Sequence, residues 1–132
     1  MVLAGIIDVI PLPARESTLP AQPVRQIQPN APQNEKWAPA RIPVFVNRQI
    51  DFTAAGDVPD LVVWPETALP YLLEHAQPAF DVIAEAARGA PVALGIQRQE
   101  EGRYYNSLVV LDAAGQVRQT YDKHHLVPFG EY

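Results

Sequence analysis

The 132 residues are 48% hydrophobic and 19% charged, which is enough apolar material for one globular domain or a large part of one and too much for a disordered chain. A formal net charge of -5, a pI near 5.0 and ten Lys and Arg residues that form no cluster give no electrostatic footing for a polyanion, so nucleic acid is excluded as an expected partner. There is no cysteine, hence neither a disulfide framework nor a thiolate metal site.

Met1 to Ile10 is apolar apart from Asp8, yet it is far shorter than the roughly 20 residues that span a bilayer and lacks a basic start. It reads as neither a transmembrane helix nor a signal peptide. More than half of the fourteen prolines fall in the first 43 positions, so the opening third should be mostly non-helical. Residues 1–23 read as a tail and proline-rich linker, and the domain is expected over residues 24–132. Val24-Arg25-Gln26-Ile27-Gln28 alternates as a short strand and Pro29-Asn30-Ala31-Pro32 stops it.

From Arg41 to about Ala55 the apolar positions Ile42, Phe45, Val46 and Ile50 follow spacings of three and four, which predicts an amphipathic helix with Pro43 in its first turn. Gly56-Asp57-Val58-Pro59 breaks it. Leu61 to Trp64 then form an apolar strand that ends at Pro65. Pro78 to Arg88 predicts a second helix with Phe80, Ile83, Ala84 and Ala87 on one face and Gly89 just past its end. Pro91 to Ile96 reads as a buried strand. Tyr104 to Leu111 and Gln116 to Tyr121 flank Asp112-Ala113-Ala114-Gly115 as an antiparallel hairpin. The order strand, helix, strand, helix, strand, hairpin predicts an α/β layer structure with helices packed on a sheet.

Chemistry is expected first at Glu66. It follows a buried strand directly and sits beside Trp64 and Pro65, a setting expected to exclude water and to raise a carboxyl pKa toward a general base's range. The alternative is a glutamate that merely caps the turn before Thr67. The stretch Tyr121 to Tyr132 packs Lys123, His124, His125 and Glu131 between apolar residues. Adjacent histidines in an extended chain face opposite sides, so no metal site is expected there. Lys123 reads either as a fixed cation for a developing oxyanion or as an exposed lysine at a strand end. Glu131 reads as a turn glutamate, or as a site carboxylate if its neighbours fold toward Glu66. Trp37, in a loop, is either a core anchor or a substrate-facing lid. No glycine-rich phosphate loop, serine nucleophile elbow or zinc-helix motif is present.

Taken together, Gln28-Pro29-Asn30-Ala31-Pro32-Gln33 with Lys36-Trp37, then Val63-Trp64-Pro65-Glu66-Thr67-Ala68, then Tyr105-Asn106-Ser107 and the run Tyr121 to Glu131 resemble the nitrilase-like domain of the bacterial apolipoprotein N-acyltransferases, a branch of the carbon–nitrogen hydrolases. The resemblance covers about Val24 to Tyr132. It implies a nitrilase-like αββα sandwich, present here in part, with Glu66 as the general base of a Glu-Lys-Cys triad and Lys123 as the cation that stabilises the tetrahedral intermediate. It implies that Glu131 is a further glutamate beside the site and that Trp37 is a substrate-handling residue. The implied reaction needs no cofactor. A cysteine thiolate takes an acyl chain from a phospholipid and passes it to the α-amino group of a lipoprotein's N-terminal diacylglyceryl cysteine, on the periplasmic face of a bacterial inner membrane, with membrane helices outside this chain. Because the chain has no cysteine, it is either a fragment of that enzyme or a degenerate relative, and a fragment is expected, inactive and poorly soluble alone. A soluble amidase and a non-catalytic nitrilase-like binding module are the alternatives.

Overall fold

The computed structural model describes residues 21–124. The apolar start of the chain and most of the linker (residues 1–20), and residues 125–132 with His125 and Glu131 among them, lie outside the described residues. The elements follow the expected order: β1 (Val24–Gln26), α1 (Ile42–Ala54), β2 (Leu61–Val63), a single 3-10 turn at Leu73–His75, α2 (Gln77–Ala87), β3 (Val92–Glu100), β4 (Arg103–Leu111) and β5 (Val117–Asp122). They form one five-stranded sheet in the order β1-β2-β3-β4-β5, parallel from β1 to β3 and antiparallel from β3 to β5. Successive parallel strands step across the sheet in one direction, so two right-handed crossovers put α1 and α2 on the same face, where they pack on each other.

That face is the core. Val62, Val92, Leu94, Ile96, Val109 and Leu111, at alternating positions of β2, β3 and β4, lie fully buried with Phe80, Ile83 and Ala87 of α2. The four residues expected on the inner face of α2, Phe80, Ile83, Ala84 and Ala87, are its four buried residues. The helix ends with Arg88 in the left-handed region (φ 51°) ahead of Gly89 (φ 99°), the usual chemistry of a helix stop.

α1 differs from its pattern. Phe45 is buried, but the other two buried residues are Gln49 and Thr53, while Ile42, Val46 and Ile50 are half-buried. The polar pair faces inward because it has partners there. Gln49 Nε2 donates to the Ala68 carbonyl (3.3 Å), Thr53 Oγ1 donates to Gln49 O (2.8 Å), and the buried Trp64 indole N–H donates to Thr53 Oγ1 (2.9 Å). Trp64 is therefore an anchor between β2 and α1.

β3 runs past the expected Ile96 to Glu100, through the polar stretch Gln97-Arg98-Gln99-Glu100, because β4 supplies a partner for every residue of it. The connection to β4 is a two-residue turn with Glu101 at φ 49° and Gly102 at φ 76°, the pair of positive values that suits a tight hairpin. At the β4–β5 turn, Asp112 Oδ1 accepts from the backbone N–H groups of Ala114 and Gln116 (both 2.9 Å).

The far end of β5 is clamped by charge. Arg98 Nε donates to Asp122 Oδ1 (2.7 Å) and a second guanidinium N–H reaches Oδ2, while Ser107 Oγ donates to Asp122 Oδ1 (2.6 Å). The Arg98 guanidinium, and secondarily the Ser107 hydroxyl, hold the Asp122 carboxyl at about 2 against the smaller opposing effect of burial.

Two predictions follow from these contacts. Thr53→Val keeps the side-chain shape but leaves the Trp64 N–H unsatisfied, so it should cost roughly 1–3 kcal/mol, read as a lower denaturation midpoint at unchanged slope, whereas Thr53→Ser should retain most of the stability. Asp122 has a folded-state value below its unfolded one, so its contribution is fully present above the unfolded carboxyl value near 3.9 and is lost as the pH falls through about 2. Asp122→Asn should therefore destabilise the chain at neutral pH and flatten its acid-induced loss of stability between those two values, measured by denaturant titration at a series of pH values.

Candidate active site

The site is built where β2 stops and segment 64–72 continues beside β3 without regular strand geometry. Trp64 N–H donates to Ala93 O (2.8 Å), Gly95 N–H to Pro65 O (3.3 Å) and Ala68 N–H to Gly95 O (2.9 Å), and Leu72 then bridges Gln97. In a regular parallel ladder the two bonds of one residue bracket a single residue of its neighbour. The two bonds of Gly95 bracket Glu66 and Thr67, and between the bonds to Ala93 O and Gly95 O the segment advances four residues, 64 to 68, while β3 advances two, so segment 64–68 bulges with two additional residues. Thr67 takes φ 48° to make it, an unusual backbone for a β-branched residue. Bulges re-aim side chains, and this one swings Glu66 over the face of β3 and β4 that the helices do not cover.

On that face the Glu66 carboxylate meets two donors. Asn106 Nδ2 donates to Glu66 Oε1 at 2.7 Å, and Lys123 Nζ reaches the same oxygen at 2.9 Å. Asn106 lies on β4, one residue before the buried Ser107, and alternation turns it away from the helices. Lys123 follows β5 directly, and its own N–H donates to Asn106 O (2.8 Å). Asn106 thus fixes the Lys123 backbone with its carbonyl and the Glu66 carboxylate with its amide. A second ammonium stands on the other side: Lys36 Nζ donates to the Glu66 carbonyl (3.3 Å) and sits 5.1 Å from the centroid of the Trp37 ring. Burial holds the Lys36 ammonium below its ordinary value, with the Glu66 carboxylate partly offsetting this.

These groups line an open cleft of about 1140 Å³ whose walls include Lys36, Trp37, Glu66, Tyr71, Tyr104, Asn106, Lys123 and His124. Its rim is aromatic, with Trp37, Tyr71 and Tyr104 all substantially exposed. Chemically, the arrangement offers a carboxylate able to accept a proton and a neighbouring ammonium able to stabilise a negative charge formed beside it.

Of the residues singled out from sequence, Glu66, Lys123 and Trp37 come together on this cleft, and Glu131 lies outside the described residues. The setting of Glu66 departs from the expectation. Its side chain is 59% exposed, not desolvated, because the Trp64 indole turns into the core toward Thr53 and leaves the carboxylate to Asn106 and Lys123. Trp37 is an exposed residue of the cleft rather than a core anchor. Sequence reasoning assigned no role to Asn106 or Lys36. An asparagine between the aromatic pair Tyr104-Tyr105 and the apolar run Leu108 to Leu111 was the signal for the first. The second had no signal beyond adjacency to Trp37. Among the described residues no group of three or more His, Asp or Glu side chains is arranged to hold a metal ion.

The carbon–nitrogen hydrolase family model matches residues 24–132. The apolipoprotein N-acyltransferase of Brucella suis biovar 1 (strain 1330) is 40% identical over 121 residues, covering 83% of this chain and 23% of that protein. The apolipoprotein N-acyltransferase of Sinorhizobium fredii (strain NBRC 101917 / NGR234) is 38% identical over 133 residues, covering 92% of this chain and 25% of its own length. The chain therefore spans about a quarter of the length of these relatives. Among solved structures, an N-terminal amidase with an Asn-Glu-Ala peptide matches with a TM-score of 0.57 at 21% identity, over 81% of this chain and 29% of the amidase. The sheet and its two helices are thus part of a nitrilase-like αββα sandwich, and the chain belongs to the carbon–nitrogen hydrolase family.

Proposed function

We propose that this chain forms the acid–base half of an apolipoprotein N-acyltransferase active site. The observation that carries the reading is the Glu66–Lys123 pair, 2.9 Å apart on an open cleft, in a chain whose sequence relatives are acyltransferases of that name. The chain holds no cysteine, so the nucleophile of a Glu-Lys-Cys triad comes from outside these 132 residues, and the 132 residues alone are inactive.

In this reading Glu66 accepts the proton of the incoming thiol, and the thiolate attacks the acyl ester of a phospholipid. Lys123 lies beside the carboxylate and stabilises the oxyanion of the tetrahedral intermediate, which collapses to a thioester as Glu66 returns its proton to the departing lysophospholipid oxygen and becomes a carboxylate again. The second half repeats the geometry with the α-amino group of a diacylglyceryl cysteine as nucleophile, and Glu66 takes its proton. Asn106 keeps the carboxylate pointed at the cleft while the proton moves. Trp37 handles substrate at the rim, and Glu131, which lies outside the described residues, is a further glutamate that the reaction requires. No cofactor takes part. No helix among the described residues is long and apolar enough to cross a membrane. The reading places this domain at the periplasmic face of a bacterial inner membrane, anchored by helices outside the chain.

The test is acyl transfer by the intact gene product, supplied with phosphatidylethanolamine and a diacylglyceryl-cysteine peptide, with the triacylated peptide read by mass spectrometry. Glu66→Gln should slow transfer roughly 10²–10⁴-fold through loss of the general base, and Lys123→Met about 10²–10³-fold through loss of oxyanion stabilisation. The 132-residue chain should give no product. Transfer by that chain alone would refute the triad assignment. Hydrolysis of small amides by the intact product, with no acyl transfer, would favour the amidase alternative.

A further inference from the structure

We propose that Gly95, on β3 and outside the charged constellation, is a positioning residue for Glu66, an inference that rests on the acyltransferase reading only for the reaction that reports it. A Cβ at position 95 would lie 2.6 Å from Glu66 Cα, 2.7 Å from Thr67 N and 3.0 Å from Glu66 C. All three are backbone atoms, so no rotamer change relieves the contact. Gly95 is not among the residues with positive φ, so its own backbone suits any residue and the requirement for glycine comes from the neighbouring chain. The cause is the bulge. Two residues, Glu66 and Thr67, stand opposite Gly95 where a regular parallel ladder would place one, and the additional backbone occupies the space above the strand that a Cβ would fill.

An alanine at 95 would consequently leave β3 intact and push the Glu66–Thr67 backbone off its seat. Asn106 lies on β4 and Lys123 directly follows β5, and these strands pair through their own ladder, so they would not follow. The 2.7 Å and 2.9 Å contacts at Glu66 Oε1 would open while the strands that carry the donors stayed in place. The lesion is one of aim, not of folding.

The experiment uses the intact gene product with phosphatidylethanolamine vesicles and a diacylglyceryl-cysteine peptide, together with selective ¹⁵N labelling of asparagine. Gly95→Ala should lower kcat about 100-fold, the scale of a misplacement near 1 Å, with little change in KM. It should also move the Asn106 side-chain amide resonance to the position it takes in Glu66→Ala. The double variant should show no further movement, because both changes act on one contact. An unmoved Asn106 amide in Gly95→Ala, or a further displacement in the double variant, would overturn the proposal. If Gly95→Ala fails to fold, deleting Thr67 from it takes out one of the two additional residues, removes the 2.7 Å contact with Thr67 N and shortens the overhanging segment so that the Glu66 backbone can settle away from the Cβ. Recovery of folding then supports the proposal and continued failure refutes it. Absence of acyl transfer by the wild-type protein, with the Asn106 shift still seen in Gly95→Ala, would sink the acyltransferase reading and leave the positioning role standing.

Discussion

The cleft depends on the two backbone hydrogen bonds with which Gly95 brackets Glu66 and Thr67. One is of ordinary length at 2.9 Å, the other is long at 3.3 Å, and the two are unusual in spacing. Their spacing decides that the chain leaving β2 overhangs the sheet at Glu66 instead of continuing flat beside it. Each other member of the site is placed by a different strand: Asn106 by β4, Lys123 by the end of β5 and Glu66 by the segment after β2. A contact of 2.7–2.9 Å among the three requires the registers of β3 on β4 and β4 on β5 to hold together. Those registers are fixed on the opposite face, where Leu94 pairs with Val109 and Val92 with Leu111 in the core. A slip of one residue would turn Asn106 toward the helices and bury a polar amide among them. The packing of one face thereby sets the chemistry of the other.

Stability does not account for the charged groups on the cleft. An ion pair between side chains as exposed as Glu66 and Lys123 is worth roughly 0–1 kcal/mol, and the strain at Thr67 opposes folding locally. The structural ion pair of the sheet is Arg98 with Asp122, whose side chains are the less exposed and which ties β3 to β5 across β4. Asp122 and Lys123 are adjacent in sequence and their side chains serve opposite faces, one clamping the strand and the other entering the cleft. The clamp fixes the last residue of β5, and the Asn106 carbonyl fixes the next. Lys123 therefore starts from a rigid backbone, which limits the entropy lost when its ammonium is held.

How much of this was legible in the sequence depended on whether the cause was local. The inner face of α2 could be read because Phe80, Ile83, Ala84 and Ala87 bury themselves for their own apolarity. The inner face of α1 could be read only at Phe45, since Gln49 and Thr53 are inward on account of the Ala68 carbonyl and the Trp64 indole, partners that exist only once β2 has docked. β3 seemed to end at Ile96 because its polar continuation is held by β4. Glu66 was conspicuous at a strand end, yet the inference that Trp64 would dry it assumed that neighbours in sequence share an environment. The bulge separates them, sending the indole into the core and the carboxylate to the open face. The glycine that permits the bulge lies on another strand, where no local pattern connects it to Glu66.

The exposure of Glu66 belongs with the state of the face it overhangs. Val24, Leu61, Val63, Leu108 and Tyr121 alternate onto the side of the sheet away from the helices, and Val24 (57%), Leu108 (43%) and Tyr121 (57%) are exposed there. In a nitrilase-like αββα sandwich that side meets a second sheet, and apolar side chains of this size supply the driving force for the meeting. The same event changes the electrostatics of the cleft. Covering the face would remove water from the neighbourhood of Glu66, Lys36 and Lys123, and the Glu66 carboxylate would interact far more strongly with the Lys123 ammonium in the drier setting. In the proposed reading the missing nucleophile also arrives from outside this chain. On that reading, burial of the apolar face, strengthening of the charge pair and delivery of the thiol become one structural step, for which the Glu66–Lys123 pair has its charges in place in surroundings that are those of water.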